Sequence, residues 1–149
     1  MNNLLQSVMF SSFEDQLNVI CEAINSANLV QLMTSADLDG VLALAQLEAA
    51  FLDNSLHYRR RVLPPRRHVG RDHIHELPDV DGLIIHIDPF LESQNLLEIS
   101  EKYIHIFPLA VELEIGTSEN KHHGALDCVS ICAVLASMLS PDGARVRKQ

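Results

Sequence analysis

The chain has 149 residues, 47% of them hydrophobic but only 5% aromatic, with no tryptophan. That length suits one domain with a core of its own, and the aliphatic bias suits an α/β layer fold better than a sandwich. A formal charge of −9 excludes a nucleic-acid binder held by a general positive field.

The opening "MNNLLQSVMFSSFEDQ" has neither a basic start nor a long apolar run, so no leader peptide is expected. Ser11 or Ser12 ahead of Glu14 and Asp15 marks a helix start. Phe13, Leu17, Ile20, Cys21 and Ile24 then recur at helical spacing. "LVQLMTS" (29–35) reads as a short apolar strand and "GVLALAQLEAAFLDNS" (40–55) as a largely buried helix. "SLHYRRRVL" (55–63) is strand-like, and its charges place it near a sheet edge. "PPRRHVGRDHIHELPDV" (64–80) reads as a loop. "DGLIIHIDP" (81–89) is a buried strand, "LESQNLLEISEKY" (91–103) an amphipathic helix and "YIHIF" (103–107) the next strand. "AVELEIG" (110–116) is a short extended piece, and "HHGALDCVSICAVLASMLS" (122–140) a final apolar helix stopped at Pro141. That helix is interrupted by Ser and Cys and is too short for a bilayer span, so no membrane association is expected. Cys21, Cys128 and Cys132 are an odd set without paired spacing, as in a reduced, cytoplasmic protein, and the last two read as core filling. Strands alternating with helices predict a Rossmann-like parallel sheet with helices on both faces, in a single domain over residues 1–149.

In such a sheet the functional crevice lies beyond the carboxyl ends of the strands. Asp37 and Asp39 follow the first strand there, and Asp88 ends "GLIIHID". Three gathered carboxylates are hard oxygen ligands suited to Mg²⁺ or Mn²⁺ and to phosphoryl chemistry. The structural alternative is that Asp39 caps the following helix while Asp37 makes a turn. His86 shares a strand face with Asp88, and His105 lies on the next strand; both read as ordinary strand histidines. His122 and His123 precede the final helix and carry little weight, since adjacent side chains diverge. The basic stretch Arg59, Arg60, Arg61, Arg66, Arg67 and Arg71 can track phosphates or pair with an acidic partner. Tyr58 is its lone aromatic, so base stacking is poorly provided for, and a solvated edge or a protein partner is the better reading.

"SADLDGVLALAQLEAAF" resembles the first motif, His-x-Asp-x-Asp-Gly before a buried helix, of the DHH phosphoesterases, the RecJ-like nucleases and their relatives. "HYRRRVLPPRRHVG" is similar to the second strand and basic loop of RecJ-type proteins. "DGLIIHIDPFLESQNLLEISEKYIHIF" is similar to their next strand, helix and strand, with Asp88 at the metal position. "GALDCVSICAVLASML" resembles the helix that closes their first domain, so the likeness runs over about 28–140. The departures are as informative. Ser35 stands where the motif has histidine, Pro108-Leu109-Ala110 stands where Asp-His-His is due, and no DHHA1-type second domain is expected. The resemblance therefore implies a truncated DHH domain with eroded catalytic motifs and no cofactor. Degenerate proteins of this kind resemble the replicative-helicase subunit that binds GINS and MCM, which implies a non-catalytic DNA replication factor with weak or no single-stranded DNA contact. Homo-oligomers are compatible with it. The enzyme alternative is a minimal Mn²⁺- or Mg²⁺-dependent phosphoesterase using Asp37, Asp39 and Asp88. "DLDGVL" is also similar to the haloacid-dehalogenase motif, but the lysines are Lys102, Lys121 and Lys148 and the later acidic cluster of that family is missing.

Overall fold

The apolar run after Leu29 forms β1 (Val30–Ser35), a central strand whose side chains are buried on both faces apart from a half-buried Gln31. A computed structural model describes residues 8–65, 81–114 and 121–148 of the chain. A short helix α1 (Val8–Ser11) and α2 (Glu14–Ser26) precede β1; α3 (Leu38–Asp53), β2 (Tyr58–Leu63) and β3 (Leu83–Ile87) follow it. Then come β4 (Glu98–Ile99), β5 (Tyr103–Ile106), the hairpin β6 (Leu109–Glu114) and β7 (Lys121–Leu126), helix α4 (Cys128–Leu139) and a 3-10 turn, Val146–Lys148.

The main sheet has the order β2-β1-β3-β5-β4, and only β4 runs antiparallel to its neighbour. The order reverses at β1, so the carboxyl ends of β1 and β3 form a topological switch point of the kind where α/β sheets open a crevice. Thr34 ties these two ends together: its fully buried hydroxyl donates to the Ile87 carbonyl at 3.2 Å. A buried hydroxyl without that acceptor would cost about 1–3 kcal/mol.

One face of the sheet carries Val30 and Leu32, Leu83, Ile85 and Ile87, and Ile104 and Ile106. These pack with Leu17, Ile20 and Ile24 of α2, Leu47, Ala50 and Phe51 of α3, and Ile131, Leu135 and Leu139 of α4. Each such Leu, Ile or Phe contributes about 1.5–3 kcal/mol by leaving water, so this layer dominates stability. The opposite face holds a smaller cluster of Met33, Leu63 and Ile84, with Tyr103 against it. Among the described residues all three long helices lie in the first layer, so the expectation of helices on both faces is corrected to a mixed α/β sheet with one helical layer.

Part of the reason is the segment expected as a helix over 91–103, which is not helical. Leu97 is buried while Leu96, which would share a helix face with Ile99 and Tyr103, is 62% exposed. Gln16 brackets the backbone of Leu97, accepting from its N–H at 3.2 Å and donating to its carbonyl at 3.4 Å. Ile99 then pairs with Ile104, which places Glu98 opposite His105. A second correction concerns 122–126, which was expected to begin the last helix and lies instead in β7 (Lys121–Leu126). That strand pairs with β6, with Gly124 opposite Val111, and the helix starts only where Asp127 accepts from the Ser130 N–H at 2.7 Å. The expected edge strand is found: β2 lies at one border of the sheet.

Candidate functional site

The turn after β1 is built by its own sequence. Asp37 is the N-cap of α3; one carboxylate oxygen accepts from the Gly40 N–H at 2.9 Å and the other from the Ser35 hydroxyl. The reading of Asp39 as cap is therefore corrected. Capping falls to Asp37 because its backbone is extended and its carboxylate stands three residues before the amide it accepts from. Asp39 is exposed in the first helical turn, where the helix dipole favours a negative charge. Gly40 is required by close approach: a Cβ there would overlap Thr34 Oγ1 and lie 2.9 Å from the Ser35 carbonyl.

Asp88, just past β3, is buried at 6% exposure, and its N–H donates to the Ile106 carbonyl at 2.8 Å. His86 lies two residues earlier on the same strand face, away from the helical layer. The parallel register sets His86 directly against His105 of β5. Their rings stack with centroids 4.9 Å apart and planes 5° from parallel. His105 Nε2 lies 3.4 Å from Asp88 Oδ2, and its Nδ1 lies 3.4 Å from Glu98 Oε2. His86 Nδ1 meets the Tyr103 hydroxyl at 3.1 Å. Burial, with Glu98 and Asp88 adding to it, pushes the Tyr103 phenol up to about 12, so this hydroxyl keeps its proton.

The expected trio Asp37, Asp39 and Asp88 is thus not what converges. Among the described residues, the group whose ligand atoms all lie within 4.8 Å of one another is His86, Asp88 and His105. Sequence reasoning found each member but not the set. The i, i+2 spacing of His86 and Asp88 was visible, whereas the juxtaposition of His105 depends on which strands pair and in what register.

Cys128 opens α4 beside Asp88. Burial, reinforced by Asp88 and Asp127, pushes its thiol up to about 12, which excludes a thiolate nucleophile there near neutral pH. Cys132 is wholly buried and shifted in the same direction, so both cysteines fill the core as expected. His122 and His123 are exposed on β7, the strand that precedes α4.

Of the basic stretch, Arg59, Arg60 and Arg61 lie exposed on β2; Arg66, Arg67 and Arg71 fall outside the described residues. Arg60 reaches Glu48 of α3 at 3.4 Å on the helical side, and Arg59 and Arg61 project from the other face. No helix among the described residues is long and apolar enough to cross a membrane. Compared with models of protein families, with curated proteins and with solved structures, the chain matches none.

Proposed function

We propose that this chain is a non-catalytic, DHH-like α/β module that acts by binding a protein partner. The observation that carries this reading is Asp37. Both of its carboxylate oxygens serve the fold, one on the Gly40 amide and one on the Ser35 hydroxyl that stands where the phosphoesterase motif has histidine. A two-metal phosphoesterase needs that carboxylate and that histidine turned toward shared cations. In keeping with this, Asp37, Asp39 and Asp88 form no close ligand group.

The binding surface is the β2 border of the sheet, which no further strand among the described residues covers. Strand β2 presents Arg59, Arg60 and Arg61 to solvent, with Val62 exposed beside them, and α3 exposes Leu38, Val41 and Leu42. Arginine next to apolar side chains suits a protein interface, and the outer edge of β2, which among the described residues pairs only with β1, offers backbone groups to an added strand. The resemblance to RecJ-like helicase subunits makes GINS, and MCM beside it, the proposed partners. Single-stranded DNA contact is weak because the stretch lacks stacking aromatics.

The test is association of purified chain with purified GINS at low and moderate salt. Arg59→Glu with Arg61→Glu should slow association markedly at low salt and less at higher salt, the behaviour of a steering charge patch. Wild-type association kinetics in that double variant would remove β2 from the interface, and absence of any complex would overturn the assignment of partner.

A further inference from the structure

We propose that His86, Asp88 and His105 form a mononuclear site for a divalent transition-metal ion of the zinc class, bound by two imidazole nitrogens and one carboxylate oxygen. This goes beyond the binding-module reading and uses a different ligand set from the Asp-x-Asp-Gly turn.

Three features converge on it. First, the geometry is already close to that of a coordination sphere. Tetrahedral Zn²⁺ with bonds of about 2.0–2.1 Å needs donors about 3.3–3.4 Å apart along each edge. His105 Nε2 and Asp88 Oδ2 stand 3.4 Å apart, and the whole trio lies within 4.8 Å. The remaining donor, on His86, comes in when its ring tilts out of the stack with His105, because lone pairs lying in parallel ring planes do not meet on one ion.

Second, His105 Nε2 is a buried atom without a hydrogen-bond partner, although Asp88 Oδ2 lies 3.4 Å away. Leaving a buried polar atom unmatched is costly in a folded core. A cation bound by Asp88 would satisfy this nitrogen as well.

Third, the outer partners are those that metal-binding histidines use. Glu98 Oε2 accepts from His105 Nδ1, which fixes the tautomer that leaves Nε2 as the donor to a metal. The Tyr103 hydroxyl lies 3.1 Å from His86 Nδ1, and in the tautomer where Nδ1–H donates to that oxygen Nε2 is left to coordinate. Both supports come from β4 and β5, the strands that also position His105. An imidazole-rich set selects Zn²⁺ or Co²⁺, whereas three carboxylates would select Mg²⁺ or Mn²⁺.

The experiment uses the tag-free full chain, stripped with a chelator and titrated with Co²⁺ followed by visible absorption, then with Zn²⁺ as competitor. The expected result is one Co²⁺ per chain with the intense bands of low coordination number, displaced by stoichiometric Zn²⁺ and not by equimolar Mg²⁺. His86→Gln and His105→Gln should abolish the signal while keeping the parent's circular dichroism. Glu98→Gln should weaken binding about 10- to 100-fold, as loss of an outer carboxylate does elsewhere. Asp37→Asn and Asp39→Asn should bind as the parent does. Absence of saturable binding, or binding that survives His105→Gln, overturns the site. Binding lost in Asp37→Asn or Asp39→Asn but kept in His86→Gln would instead place the ion at the turn, which overturns both this proposal and the metal-free reading of Asp37.

Discussion

Replacing Asp37 by alanine separates a helix cap from a vestige of chemistry, and the structure sets the size of the effect. The substitution removes the acceptor of the Gly40 N–H, a loss worth about 1 kcal/mol for an N-cap. It also strips the acceptor from the Ser35 hydroxyl, whose residue is 8% exposed. A buried hydroxyl left unmatched adds about 1 kcal/mol more. The total of about 2 kcal/mol corresponds to a fall in Tm of roughly 4–8 °C for a domain of this length. Asp37→Asn keeps an oxygen for the Gly40 amide, and its cost should stay within about 0.5 kcal/mol because asparagine caps about as well. Asp39→Ala removes only a favourable interaction with the helix dipole, about 0.3–1 kcal/mol. Urea unfolding followed by circular dichroism, in chelator, gives the three values. If Asp39→Ala costs as much as Asp37→Ala, or Asp37→Asn as much as Asp37→Ala, the assignment of the cap is wrong.

Two further predictions concern the frame around this turn. Gly40→Ala should destabilise by about 1 kcal/mol or more in the same urea assay. Overlap with Thr34 and Ser35 costs about 1–3 kcal/mol and outweighs the helix-propensity gain of at most about 1 kcal/mol; a stabilised variant would refute the close approach. Asp53 closes α3 onto the C-terminal turn. Partial burial works to raise its pKa, but the Val146 N–H, the Arg145 guanidinium and the Arg145 N–H together hold it below the ordinary aspartate value. A folded pKa below the unfolded one means stability present above the unfolded value near 3.8 and lost as pH falls through the lower folded value. Asp53→Asn should therefore flatten the acid limb of the stability–pH curve in that window, and an unchanged acid limb would contradict the contact.

Much of the sheet was legible because its strands obey local rules. The apolar runs at 30–35 and 83–87 are bounded by turn residues, and the arginines of β2 announce an edge. Asp39 and Gly40 were read as the helix start, whereas the cap is Asp37, a choice between two aspartates that needed the backbone conformation at Asp37. Residues 91–103 were misread because leucines scattered among polar residues imitate a helix. What decides their fate lies outside the segment: the Gln16 side chain, 81 positions from Leu97, and the edge of β5 with which Glu98 and Ile99 pair. That misreading also hid Glu98, which as a helical residue has no reason to meet His105. The His86–Asp88–His105 group lay one step further from view, since its assembly depends on the parallel register between β3 and β5.

The most direct test of the account is a cleavage assay. End-labelled single-stranded DNA and RNA are incubated with purified chain at enzyme excess in Mn²⁺ or Mg²⁺, beside Asp88→Ala. With Asp37 held by Gly40 and Ser35, no pair of cations is fixed to activate water, so the account predicts intact substrate with both proteins. Metal-dependent degradation by the parent that disappears in Asp88→Ala would contradict it.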